Sequence, residues 1–210
     1  MMVVQKRKTY VYIDGFNLYY GKLKGSAHKW FNVVEACRLL LTMNEVVKVK
    51  YFTAKITARP NDLDAPNRQQ VYLRALKTLP EIEIHYGHFL THPKTMPVAH
   101  PPPAYIEVLN TNEKGSDVNL ASHLLLDAFD DKFEVAVVMS NDSDLLFPIT
   151  AVRNRFQKIV GMINPQIRPS AALRKNTDFC KDIRPHILTR AQFPSTLTDA
   201  QGQFQKPATW

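Results

Sequence analysis

The sequence predicts an α/β protein with a largely parallel central sheet between helices. Three observations carry this. Short β-rich runs alternate along the chain with apolar residues at helical spacing. One run, Phe133–Met139 (FEVAVVM), is nearly all apolar, as a strand covered on both faces must be. The composition, 45% hydrophobic and 22% charged over 210 residues, suits one soluble globular domain, with or without a tail.

The elements follow in order. Tyr10–Ile13 (YVYI) is a short strand, stopped by Asp14 and Gly15. From about Asn32, the positions Val33, Val34, Ala36, Cys37, Leu40 and Leu41 recur at helical spacing. VVKVKYFT, Val46–Thr53, reads as a second strand. Pro66–Thr78 reads as a helix with proline in its first turn and Val71, Leu73, Leu76 and Leu79 on its apolar side. Glu81–Leu90 (EIEIHYGHFL) is a third strand. The proline-rich 91–103 (THPKTMPVAHPPP) is expected to be a loop, and Ala104–Leu109 a short strand after it. Ser116–Phe129 is a strong helix with Val118, Ala121, Leu125 and Ala128 on one face. The buried strand FEVAVVM, a helix over Asp144–Arg155, a strand over Lys158–Ile163, a short helix over Ser170–Lys175 and a last element at Phe179–Ile183 complete the series. Beyond Arg190 periodicity is lost. The tail 191–210 keeps Phe193, Leu197, Phe204 and Trp210, so it is expected to be partly docked, with disorder as the alternative.

Composition also excludes several classes. Cys37 and Cys180 stand far apart in no C-x-x-C pair, which excludes a disulfide scaffold and a cysteine zinc site and suits a reducing cytoplasm, the expected location. No apolar run approaches the ~20 residues of a membrane span, so no membrane partner is expected. The N-terminal MMVVQKRKTY lacks the apolar core of a secretory signal, and residues 1–8 are read as a basic extension. There is no P-loop, dinucleotide or nucleophile-elbow signature.

The net charge is +8, unevenly spread. Residues 1–100 carry 15 Lys/Arg against 7 Asp/Glu, 101–147 carry 2 against 9, and 148–210 carry 10 against 3. Basic flanks attract phosphate backbones; an acidic centre repels them unless a cation sits there. The pattern points to metal-dependent phosphate chemistry.

Three places carry that chemistry. Asp14 and Asn17 follow the first strand in YVYIDGFNLYY. Asp117 sits in the first turn of the helix after Gly115 and Ser116. Ser140-Asn141-Asp142-Ser143-Asp144 closes the FEVAVVM strand. Ligand sites of open parallel sheets lie outside the carboxyl ends of strands, and carboxylates are the hard ligands that Mg²⁺ and Mn²⁺ prefer. Asp142 is expected to point into the cleft. Asp144, two residues on, is expected to cap the next helix as well.

Other signals are weaker. His85 and His88 fall on opposite faces of a strand, which argues against zinc. Lys114 beside Asp117, Tyr19 and Tyr20 beside Asn17, and the arginines Arg59, Arg68 and Arg74 could meet a nucleic acid, although solvated or packed positions explain each of them as well.

These stretches resemble the NYN domain, a branch of the PIN-like nuclease superfamily, and within it the bacterial LabA-like group. The resemblance rests on YVYIDGFNLYY (10–20), EKGSDVNLASHLLLDAF (113–129), VAVVMSNDSDLLFPI (135–149) and the Ser170/Leu173/Asp178 pattern of PSAALRKNTDFCKDI. It implies a PIN-like three-layer α/β sandwich over residues 9–190, with a mainly parallel sheet flanked by helices and 191–210 as a tail. It implies Mg²⁺ or Mn²⁺ held by Asp14, Asp117, Asp142 and Asp144, with Asn17 as a polar catalytic partner. Asn141 stands where the family turn commonly has glycine.

The function expected is a metal-dependent ribonuclease, endonucleolytic rather than exonucleolytic, with RNA as partner. Ser140, Asn141, Ser143, Lys114, Arg59 and Arg68 are the candidate nucleic-acid contacts. The alternatives are a non-catalytic nucleic-acid-binding or regulatory module and, more distantly, a metal-dependent enzyme on a small molecule. The sequence leaves the oligomeric state open, a homodimer included.

Overall fold

The strand order places the site. In the computed structural model, which describes residues 5–100 and 102–210, seven strands form one sheet in the order β4-β3-β2-β1-β5-β6-β7. They are β1 Arg7–Asp14, β2 Asn44–Ala54, β3 Ile82–Pro97, β4 Tyr105–Lys114, β5 Val135–Met139, β6 Ile159–Asn164 and β7 Phe179–Asp182. All neighbours are parallel except β3 and β4. From β1 the chain builds outward through β2 and β3 to β4, then returns to β1's other side and builds outward again through β5, β6 and β7. The order reverses between β1 and β5, and the crevice outside their carboxyl ends is the binding position of such a sheet.

Helices α1 Gly15–Leu18 (running on into a π-turn, Tyr19–Leu23), α2 Val33–Leu40, α3 Ala65–Leu76, α4 Ser116–Phe129, α5 Leu146–Asn154, α6 Ala171–Lys175 and α7 Pro185–Arg190 connect the strands. Side chains alternate across β1: Val11 and Ile13 join Val33, Val34, Leu73, Leu76 and Ile187 on one face, and Tyr12 joins Leu120, Leu124, Ile149 and Leu173 on the other. Two cores on opposite faces of one sheet make three layers. Val135–Met139 is buried throughout, the central position its composition predicts. Among the described residues no helix is long and apolar enough to cross a membrane.

Four expectations are corrected. The 91–103 stretch is not a plain loop: β3 runs on to Pro97 and pairs antiparallel with β4, Pro93 opposite Leu109 and Pro97 opposite Tyr105. β2 accompanies β3 only as far as Gly87, so the prolines lie where the strand has a neighbour on one side alone, and a missing N–H is tolerated there. In α4 the buried stripe is Leu120, Leu124 and Ala128, while Val118 is 68% exposed. Both stripes are apolar, and only the position of the sheet chooses between them. The segment from 143 opens as a 3-10 turn, Ser143–Leu145, before α5. β1 starts at Arg7, inside the expected N-terminal extension, while residues 1–4 of that extension and Pro101 of the expected loop lie outside the described residues.

Residues 191–210 form a hairpin, β8 Thr196–Asp199 with β9 Gly202–Gln205. Trp30 Nε1 donates to Pro194 O at 2.7 Å, and the Arg74 guanidinium donates to both Asp199 oxygens at 2.7 Å while lying 4.2 Å above the Phe204 ring. This engagement with Asp199 takes Arg74 away from the cleft.

Candidate active site

β1 delivers Asp14 to the crevice, where the chain turns at once into α1. The Asp14 carboxylate accepts the Asn17 N–H at 2.9 Å and the Ser140 hydroxyl at 3.0 Å. Gly15 is needed for space rather than for an unusual turn: a Cβ there would stand 2.8 Å from the Phe52 carbonyl and the Tyr51 ring.

β5 delivers the second group. Ser140 is fully buried, and its Oγ accepts the Asp142 N–H at 3.1 Å while donating to Asp14. Asp142 Oδ1 in turn accepts the Asp144 N–H at 3.0 Å. The capping role expected of Asp144 therefore belongs to Asp142, because residue 142 is the last extended one before the turn. Asp144 is exposed and does not line the cavity.

The third group comes from the β4–α4 junction. Gly115 takes φ +95°, a left-handed conformation that L side chains rarely adopt, and the chain reverses there into α4. The Glu113 carboxylate accepts the Ser116 N–H at 3.1 Å and the Ser116 hydroxyl at 2.7 Å. Asp117 follows in the first turn.

Electrostatics mark this junction. Burial raises the Asp14 carboxyl above its usual range, opposed by the hydrogen bonds from Asn17 and Ser140 and reinforced by the Asp142 charge. Burial and then the charges of Asp14, Asp142, Glu113 and Asp144 push Asp117 up to about 6. Among the described residues, none of these five carboxylates is in an ion pair with lysine, arginine or histidine.

Asp14, Asn17, Asp117 and Asp142 line one cavity of about 820 Å³. Arg59 and Arg68 line it too, Arg68 paired with Asp62 and Asp64. Asn17 presents little free capacity: its Oδ1 accepts from Asn141 N at 3.2 Å and Gln166 Nε2 at 3.1 Å, so it positions the two turns. Three expected nucleic-acid contacts, Ser140, Ser143 and Lys114, do not line the cavity. Ser140 is buried structural support, while Ser143 and Lys114 are exposed outside it. Asn141 lies in an adjoining shallow groove with Ile167 and Arg168, its amide donating to Arg168 O at 3.1 Å.

Sequence reasoning missed Glu113, Tyr51, Tyr72 and Trp210, which also line the cavity. Glu113 was visible as a carboxylate three residues before a helix-opening serine; the others carry no local signal. Among the described residues no three His, Cys, Asp or Glu side chains stand close enough together to hold one metal ion.

Comparison with known proteins shows what this chain is similar to. Residues 8–183 fit the model of the NYN domain, and the chain belongs to the NYN domain family. It is similar to 6-hydroxy-3-succinoylpyridine 3-monooxygenase HspA of Pseudomonas putida (strain DSM 28022 / S16): 28% identity, covering 97% of this chain and 75% of that protein. Its fold is similar to the crystal structure of a protein of unknown function, VPA0982, from Vibrio parahaemolyticus RIMD 2210633, with a TM-score of 0.56 and 18% identity over 88% of this chain and 98% of that chain.

Proposed function

We propose that the protein is a metal-dependent hydrolase of RNA phosphodiester bonds, cutting within the chain. The observation that carries this reading is the convergence of Asp14, Asp117 and Asp142 on one cavity, their charges unneutralised, in a chain of net charge +8. Membership of the NYN family, a branch of the PIN-like nuclease superfamily, supports it.

The donor set fits a hard divalent cation. Mg²⁺ is commonly held through one or two carboxylates and keeps several waters, so it does not need three convergent side chains. Asp14 and Asp142 would hold it, with Asp117 facing the same space. When bound, Mg²⁺ or Mn²⁺ supplies an activated water and neutralises charge on the phosphate.

The chain's own residues do the rest. Ser140 and the Asn17 N–H fix the Asp14 carboxylate. Asp117, whose carboxyl is raised to about 6 in the metal-free protein by burial and by the neighbouring carboxylates, faces the same space, where a carboxylate can accept a hydrogen bond from the attacking water. Lys24, Lys29, Arg59 and Arg68 in the cavity wall attract the phosphates that the aspartates would repel. This reading includes the LabA-like placement, a cytoplasmic site of action, and 9–190 as the NYN domain with 191–210 appended.

Incubating mixed single-stranded RNA with Mn²⁺, Mg²⁺ or EDTA tests it. Cleavage in a metal, lost in EDTA and in Asp117→Asn, is expected. Equal cleavage in EDTA, or none in any metal by folded protein, overturns the reading.

A second reading is favoured by two observations: the relative is named for oxygenation of a substituted pyridine, and about 820 Å³ is a small-molecule volume. Inert RNA together with calorimetric binding of 6-hydroxy-3-succinoylpyridine would establish it. Salt-sensitive RNA binding without turnover would instead indicate a non-catalytic module.

A further inference from the structure

One wall of the cavity is not made by the NYN domain. Thr209 and Trp210 line it, and both lie beyond the 8–183 match. Trp210 is held in place rather than trailing. Its ring packs against Tyr72 at 5.8 Å and Trp30 at 6.4 Å between centroids, and its backbone N–H donates to Pro207 O at 3.1 Å. The hairpin before it is fastened by Arg74 to Asp199 and Phe204. It remains half-buried, and its open surface faces the cavity it lines. Tyr72 and Tyr51 behind it are buried, with Tyr72 Oη spent on the Phe31 carbonyl at 2.8 Å. Trp210 is therefore the exposed face of an otherwise closed aromatic cluster.

The same cavity is also lined by cations. Among the described residues Lys24, Lys29 and Arg59 form no ion pair. Lys24 lies 4.9 Å above the Tyr20 ring, and Lys29 lowers the pKa of Asp62, which lines the cavity with them. The cavity thus combines the carboxylates where bonds would be broken with an aromatic and cationic lining, Trp210, Lys24, Lys29 and Arg59, that can hold more of the substrate than the reacting phosphate.

Resting on the hydrolase reading, we infer that this lining is a nucleotide subsite: Trp210 stacks on a base, and Lys29 and Arg59 take the phosphate attached to it. The chemistry recognised is a planar ring carrying an anionic group. Stacking on an aromatic side chain is worth about tenfold or more in affinity per base, and a tryptophan fixed before binding loses little entropy on contact. The C-terminal segment would then choose which nucleotide sits next to the reacting phosphate.

Calorimetric titration with AMP, adenosine and nicotinate in EDTA tests this without any turnover. AMP is expected to bind, and about tenfold more weakly to Trp210→Ala. Trp210→Phe should restore most of the loss, and adenosine should bind about tenfold more weakly than AMP. The double variant Lys29→Ala/Arg59→Ala, both outside the core, should abolish the preference for AMP over adenosine. AMP affinity unchanged in both Trp210→Ala and the double variant overturns the subsite. Nicotinate bound more tightly than AMP, with the same dependence on these residues, overturns the nucleotide in favour of a small aromatic acid. Because binding is read in EDTA, loss of RNA cleavage with Trp210-dependent AMP binding counts only against hydrolysis. Intact cleavage with Trp210-independent AMP binding counts only against the subsite.

Discussion

The hydroxyl of Ser140 donates to the carboxylate of Asp14 at 3.0 Å across 126 positions of sequence. The parallel register makes the pair: Ile13 lies beside Met139 where β1 meets β5, so the next residue of each strand emerges at the same level. One buried hydroxyl then serves two carboxylate loops, because it also accepts the Asp142 N–H.

Ser140→Ala should remove that link. It leaves a carboxylate oxygen and a backbone N–H without partners, a loss of about 1–3 kcal/mol. The hydrogen bond it removes lowers the Asp14 pKa, which burial already raises. The acid limb of any activity that needs ionised Asp14 should therefore move to higher pH. Denaturant unfolding and a pH–rate profile check both; an unchanged midpoint and limb would contradict the role.

Asp117→Asn should stabilise the protein at pH 8 and make little difference below about pH 4. In the folded chain Asp117 titrates at about 6, above the ordinary 3.8. Between those values the unfolded chain gives up its proton first, so stability is lost as pH rises through the window. The asparagine variant does not titrate and escapes that loss. Thermal midpoints of both proteins at pH 4 and 8, without metal, provide the comparison. A variant less stable at pH 8 would mark Asp117 as structural.

The two aspartates of one turn should separate. Asp142→Ala should lose both activity and a cap worth on the order of 1 kcal/mol, since its Oδ1 holds the Asp144 N–H. Asp144→Ala, at an exposed position without an ion pair among the described residues, should stay within about 0.5 kcal/mol of the parent. The sequence assigns that cap to Asp144; the structure moves it to Asp142, which keeps its place in the cleft. Turnover and unfolding midpoints of the two variants decide it.

Acid should loosen the face under α4. Lys50 Nζ stands 2.5 Å from Asp127, whose carboxylate also accepts the Tyr12 hydroxyl at 2.8 Å. His123 lies beside Lys50, and His85 stacks between Phe52 and His123, near Glu83. Burial lowers both histidines, helped by His123 and Lys50 at His85 and by Lys50 at His123. Below the ordinary value of 6.5 the unfolded chain takes up protons that the folded chain refuses, so their contribution is complete above 6.5 and falls as pH drops. His123→Gln should reduce the fall in urea midpoint between pH 7.5 and pH 5; an identical fall in parent and variant would refute the assignment.

The sequence by itself determined the strands and helices of the sheet and the motifs that close β1, β5 and the start of α4, because strand alternation, helical spacing and turn chemistry are local. A parallel sheet converts such local positions into a shared site, and so Asp14, Asp117 and Asp142 were legible as one cluster. The tertiary structure alone decided which apolar stripe of α4 faces inward, since Val118 and Leu120 are equally apolar and only a neighbouring surface distinguishes them. It decided that Asp142, not Asp144, holds the turn, because a cap depends on backbone angles that composition does not specify. It also brought Glu113 from the far edge of the sheet and Trp210 from the end of the hairpin into the cavity. Those two arrive through long-range pairing, of β3 with β4 and of Arg74 with Asp199, and contacts of that range exist only once the chain has closed on itself.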